Sequence, residues 1–191
     1  MSISNDREYR AFEMRASEDG SVVEGYAAVF NTPAVLYSCD GVDFKEEIDP
    51  KAFSVAEIRD VVMNYNHQGK PVARTKNGTL SLMTDGTGLK IRADLSGTEE
   101  GRRLYEEIKG GYIDKMSFAF VVSEEAYNRD THTRRILGFK RVYDVAAVDI
   151  PAYDATSISA RSFFSAEAEK ERAEVRKTKK KKLKLLLEVS R

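Results

Sequence analysis

The sequence has one cysteine, Cys39, among its 191 residues. That excludes an intramolecular disulfide and any multi-cysteine metal site, and a lone thiol is compatible with a reducing compartment. Net charge is also missing: 31 basic residues balance 31 acidic ones. No dominant attraction to nucleic acid or to a membrane surface is therefore expected of the whole chain. No apolar run approaches membrane-spanning length, which argues against a membrane protein. The opening residues Met1-Ser2-Ile3-Ser4-Asn5-Asp6 lack the basic-then-apolar pattern of a secretory signal, so an intracellular protein is expected.

What is present is the composition of an ordinary globular protein, 41% hydrophobic and 32% charged, long enough for one sizeable domain with a buried core. Alternating runs at residues 7–15 and 22–30 flank a turn at 18–21 and predict a hairpin. Asp49 before Pro50 predicts the start of a short helix reaching about Ile58. Residues 61–65 form the next strand and carry Asn66-His67-Gln68-Gly69 at its end. After a turn at Asn77-Gly78, a second hairpin spans 79–83 and 89–95. Residues 98–109 predict a helix, with Thr98 as its cap, acidic residues in its first turn and Gly110-Gly111 as its stop. Strands are expected at 113–122, 136–139 and 142–150, with a polar hairpin tip at 128–133. The fold class is mainly β with flanking helices (α+β), closed as a barrel or packed as a sandwich. Beyond this domain, residues 1–164, composition changes. Residues 165–191 form a charged tail with six lysines between Lys177 and Lys184, disordered or partly helical.

One constellation could carry chemistry. In Lys115-Met116-Ser117-Phe118-Ala119-Phe120-Val121-Val122, period-two alternation puts Met116, Phe118, Phe120 and Val122 on one face. Ser117 then faces the other way beside small neighbours. In the later strand, Val142, Asp144, Ala146 and Val148 are expected on one face, so Asp144 is a polar exception that needs a partner if buried. A serine becomes nucleophilic when a base takes its proton, an imidazole suits that task near neutral pH, and a carboxylate fixes the imidazole's tautomer. His67, Ser117 and Asp144 supply these three groups. Each also has a structural reading: Ser117 as an ordinary strand serine, His67 as a solvated or capping loop residue, Asp144 as a partner of Lys140 or Arg141. Pattern alone leaves the two sets of readings open.

Several motifs in order bear on the choice. They are Gly25-Tyr26-Ala27-Ala28-Val29-Phe30-Asn31, Glu47-Ile48-Asp49-Pro50-Lys51-Ala52-Phe53, and Asn66-His67-Gln68. Thr79-Leu80 to Asp85 with Gly88-Leu89 follows, then Gly111-Tyr112-Ile113-Asp114-Lys115-Met116-Ser117-Phe118-Ala119-Phe120. The last is Asp144-Val145-Ala146-Ala147-Val148 through Pro151-Ala152-Tyr153. Taken together, over roughly residues 8 to 160, the sequence resembles the phage prohead proteases of the HK97 type, related in fold to the herpesvirus assemblins. One departure is Ala119, where the family often has glycine.

The resemblance implies an assemblin-like closed β-barrel and a serine endopeptidase of capsid maturation. Ser117 matches its nucleophile and His67 its base. Asp144 stands where an acidic residue follows the serine, with Asp149 and Asp154 as fallbacks and His132 as a third-member candidate by analogy with the assemblins. Asp149 would point away from Asp144 on a regular strand. The implied substrates are the major capsid protein and its scaffold segment, cut inside the prohead in the host-cell cytoplasm, together with the protease itself. Self-association is conceivable, no metal or organic cofactor is implied, and neither a membrane nor a nucleic-acid partner is expected. The family suggests that the tail directs the protease into the prohead. The rival reading is a non-catalytic scaffold or capsid-assembly module of the same fold.

Overall fold

A computed structural model describes residues 8–17, 20–149 and 158–189. Ten strands and two α-helices follow along these residues. They are β1 (Glu8–Ala16), β2 (Val22–Val29), β3 (Ala34–Cys39), β4 (Val42–Ile48), β5 (Val62–Tyr65), β6 (Gln68–Arg74), β7 (Leu80–Thr84) and β8 (Gly88–Asp94). After these come α1 (Glu99–Lys109), β9 (Lys115–Asn128), β10 (Thr133–Val148) and α2 (Ile158–Val189). The fallback Asp154, the motif at residues 151–153, and Ile150, expected as the end of the last strand, lie outside the described residues, as do two residues of the 18–21 turn.

The strands form one sheet in the order β3-β4-β10-β9-β1-β2-β8-β7, with β5 paired to β10 and β6 to β5. Its ends, β3 and β7, do not pair, so the expected closed barrel is corrected to an open sheet. The cause is the length of β10. One edge of this strand pairs antiparallel with β9 along its whole length, while the other pairs parallel with β4 at residues 133–136 and with β5 at residues 144–147. The sheet therefore forks at β10, and strand pairing runs into two branches instead of around a ring.

Local chemistry explains most element ends. Thr98 accepts from the Gly101 amide at 2.9 Å to open α1, and acidic Glu99 and Glu100 sit at its positive end. Asp40-Gly41, both at positive φ, make the two-residue turn between β3 and β4. The helix expected after Asp49 is a set of tight turns instead. Asp49 Oδ1 accepts the Lys51 amide at 2.8 Å, and Ala52 and Ser54 bond back three residues, so the segment turns without propagating. Where two strands were expected after residue 136, β10 is continuous.

The main core lies on one face of the sheet. Phe118 and Phe120 stack with centroids 4.6 Å apart, Phe120 meets Phe139 at 4.8 Å, and Phe139 meets Phe53 at 4.5 Å. Near the other end of β9 and β10 is a buried charge network. Arg10 donates to both carboxylate oxygens of Glu46 at 2.6 Å, and Arg134 donates to Glu8 at 2.8 and 2.9 Å, to Glu46 at 2.9 Å and to Glu125 at 2.7 Å. Burial alone would raise the Glu8 carboxyl, but hydrogen bonds and charge from Arg134, with Arg10, hold it below its ordinary value of 4.5.

Removing one member of such a network strands the others. Arg134→Leu is expected to cost about 3–5 kcal/mol, read as a lower urea midpoint. In the native chain the depressed Glu8 contributes stability that is fully present above the ordinary glutamate range. That contribution is lost as pH falls through the folded-state value, so acid titration should narrow the gap between the two proteins.

Helix α2 begins against this network. The Phe163 ring lies 4.9 Å from the Arg134 guanidinium, and Phe164, fully buried, packs on Phe44 at 5.6 Å. Contacts continue past residue 165. Tyr127 donates to Glu171, Arg129 to Glu174 at 3.0 Å, and Arg172 pairs with Asp40. Burial, with Glu171 next, pushes the Tyr127 hydroxyl up to about 12. Among the described residues no helix is long and apolar enough to cross a membrane.

Candidate active site

Strand β9 places Ser117 as its alternation requires. Met116, Phe118 and Phe120 enter the main core, while Ser117 and Ala119 lie on the opposite face, both with no exposed surface. Ser117 pairs with Ala146 of β10, and Ala146 pairs with Asn64 of β5. Paired residues share a face, so Ser117, Ala146 and Asn64 form a row across three strands. Ala146, with Val148, belongs to a small apolar cluster separate from the main core.

Asp144 reaches this face by a different route from the regular strand expected. Val142 pairs with Phe120, and the next pair is Asp144 with Ala119. Two steps along β10 thus match one along β9, leaving Tyr143 as the extra residue of a bulge. Val142 therefore sits in the main core, and Asp144 falls on the face of Ser117 and Ala119. The shared face expected for Val142 and Asp144 is corrected accordingly. Without the bulge, Asp144 would follow Val142 to the core side.

His67 comes from the tip of the β5–β6 hairpin, a strand pair absent from the sequence reading. Asn66 and His67 are both at positive φ, 49° and 58°, and Tyr65 pairs with Gln68 across them. That is the two-residue turn whose twist suits a hairpin, built here without glycine at its centre. Non-glycine residues seldom adopt this conformation, asparagine and histidine more readily than most, and the surrounding strand pairing holds both here. The turn brings His67 Nδ1 onto Asp144 Oδ1. The imidazole is about four-fifths buried and the carboxylate nine-tenths buried, with side-chain exposures of 18% and 10%.

The other candidates are held elsewhere. Asp149 Oδ2 accepts the Tyr65 hydroxyl at 3.0 Å, and the Asp149 amide donates to Asn66 Oδ1 at 3.4 Å, so this residue fastens the end of β10 to the hairpin. His132 lies at the far tip of the β9–β10 hairpin. There it meets Tyr127 at 3.3 Å, Glu171 at 3.6 Å and the Phe44 ring at 5.3 Å. The sequence reading passed over Asn64, 7% exposed, which the row places on the same face as Ser117. Its signal was available: in Val62-Met63-Asn64-Tyr65, Asn64 is the amide of an otherwise apolar and aromatic strand.

A serine and a carboxylate on one sheet face, with an imidazole against the carboxylate, are residue types that nucleophilic acyl transfer uses, a chemistry recognised by geometry and not by chain order. The fold is thus that of a mainly β protein, with a buried serine on the sheet face where an imidazole meets a carboxylate. The chain belongs to the caudovirus prohead serine proteases, whose family model matches residues 10–172. No curated protein and no solved structure matches it. Membership makes this a phage capsid-maturation protease of the serine type by family.

Proposed function

We propose that the chain is an endopeptidase in which Ser117 is the nucleophile, His67 the general base and then acid, and Asp144 the group that orients the imidazole. The observation that carries this reading is the contact of His67 Nδ1 with Asp144 on the face that also holds Ser117. With its Nδ1–H donated to the carboxylate, the imidazole presents the Nε2 lone pair as base. Ser117 Oγ adds to the scissile carbonyl carbon and its proton passes to Nε2. Collapse of the tetrahedral intermediate breaks the C–N bond as that proton moves to the leaving amine. Water, deprotonated by the same nitrogen, then releases the acyl group and restores the serine.

Ser117 Oγ is shut off from solvent, so substrate entry requires displacement of the residues that cover it. In this reading the substrates are the major capsid protein and its scaffold segment inside the prohead in the host cell, and the chain also cleaves itself. A covered nucleophile would hold such activity back until the substrate is in place.

The test is co-expression with the major capsid protein of the same phage, followed by a serine-reactive phosphonate and intact-mass measurement. A shortened capsid protein and a phosphonate adduct on Ser117 are expected. Processing that persists in Ser117→Ala removes the nucleophile assignment. Absence of both processing and adduct in the wild type would favour a non-catalytic assembly module.

A further inference from the structure

We infer that Asn64 is a substrate-positioning residue whose side-chain carbonyl accepts a backbone N–H of the bound peptide. The inference rests on the endopeptidase reading above and adds a contact to it.

Asn64 Oδ1 is buried, and no hydrogen-bond donor among the described residues reaches it. A buried acceptor left unmatched costs about 1–3 kcal/mol, so such an atom needs an explanation. Among the described residues no side-chain donor bonds to it. Ala119, Ala146 and Val148 carry no polar side-chain atom, and the Asp144 carboxylate is acceptor-only. In the endopeptidase reading above, the imidazole has its proton on the nitrogen facing Asp144 and presents a lone pair at Nε2. The Ser117 proton is committed to that nitrogen in the acylation step.

Placement points to the substrate. Ser117 and Asn64 flank Ala146 in one row, so their Cα atoms stand two strand spacings apart, roughly 10 Å. Their side chains rise from the same face with only a methyl group between them. Ser117 Oγ is likewise buried and without a partner among the described residues. Displacing the cover over one therefore opens the neighbourhood of the other. An extended peptide whose scissile carbonyl lies on Ser117 carries further backbone N–H groups about every 3.3 Å along its length, so one two to three residues away reaches Asn64. Such a main-chain donor is supplied by every substrate regardless of side chain. The amide thus binds the extended backbone, and its role is in holding the peptide and not in activating the serine.

The experiment compares two rates in the wild type, Asn64→Leu and Asn64→Ser. One is processing of the co-expressed capsid protein. The other is labelling of Ser117 by a small alkyl fluorophosphonate, which has no peptide N–H to donate. Asn64→Leu removes the acceptor at similar volume and is expected to slow processing about 3- to 10-fold, the effect of losing one neutral hydrogen bond. Labelling should stay at the wild-type rate, and Asn64→Ser, which keeps a short acceptor, should recover part of the processing. Wild-type processing in Asn64→Leu overturns the inference. So does a matching fall in labelling with thermal unfolding unchanged, because Asn64 would then act on the nucleophile. If Asn64→Leu does not fold, Asn64→Ala is read by the same two rates. Failure of the endopeptidase reading appears separately, as a wild type that neither processes nor labels.

Discussion

Replacing Ser117 with alanine is expected to lower kcat/KM for capsid-protein cleavage by about 10⁴- to 10⁶-fold, with thermal stability unchanged or slightly higher. The two halves of this expectation have the same origin. Ser117 is wholly buried, yet its hydroxyl finds no partner among the described residues. For an ordinary strand serine this arrangement is a small loss, since the desolvated hydroxyl is unrewarded and alanine removes it without creating a void. Its neighbours Ala119 and Ala146 show that the site accepts a methyl-sized side chain. A serine kept where alanine would fit better is intelligible if the oxygen forms a bond during catalysis. Cleavage kinetics paired with thermal unfolding of both proteins separate the alternatives. A structural serine predicts activity retained in proportion to the folded fraction. The nucleophile predicts lost activity in a protein that melts at or above the wild-type temperature.

The sequence made some of this site visible and hid the rest for identifiable reasons. Ser117 was legible because β9 is regular there, so alternation alone separates it from Met116, Phe118 and Phe120. The capped helix α1 was legible because Thr98, Glu99 and Glu100 state its start in local chemistry. Asp144 shares a face with Ala146, as alternation along β10 predicts, but not with Val142. A regular strand would have grouped it with Val142, and only the bulge at Tyr143, set by pairing with β9, moves Val142 to the core. The β5–β6 hairpin was hidden because its turn is Asn66-His67 and not Asn-Gly, and because β6 opens with Gln68-Gly69-Lys70-Pro71. Those residues read as a loop, and Pro71 is tolerated since β6 pairs only with β5. The β3–β4 hairpin could have been read from Asp40-Gly41. Whether the sheet closes could not, because closure depends on distant edges meeting and no local residue encodes that.

Asp144→Asn is expected to lower kcat/KM by about 10⁴-fold while preserving the fold, whereas Asp149→Asn should change it by less than about threefold. Asparagine has the shape of aspartate, so the bulge and the packing around residue 144 are retained. Its side-chain amide, however, can donate toward His67 Nδ1, the nitrogen that now meets the carboxylate. Accepting that bond puts the imidazole proton on Nε2, where the proposed mechanism needs a lone pair to receive the Ser117 proton. The variant thus keeps the serine, the imidazole and their placement, but holds the base in the wrong tautomer. Loss of the negative charge also withdraws stabilisation from the imidazolium formed as the serine attacks. Asp149 gives a matched control because its carboxylate serves the Tyr65 hydroxyl and its amide serves Asn66. Weakening it loosens how the hairpin tip is tied to β10 and leaves the Asp144 carboxylate on His67 Nδ1. Steady-state cleavage by the two variants, with thermal midpoints measured alongside, decides between them. Equal losses would show that the carboxylates act by securing the hairpin, and a large loss confined to Asp144→Asn would show that one of them sets the proton on His67.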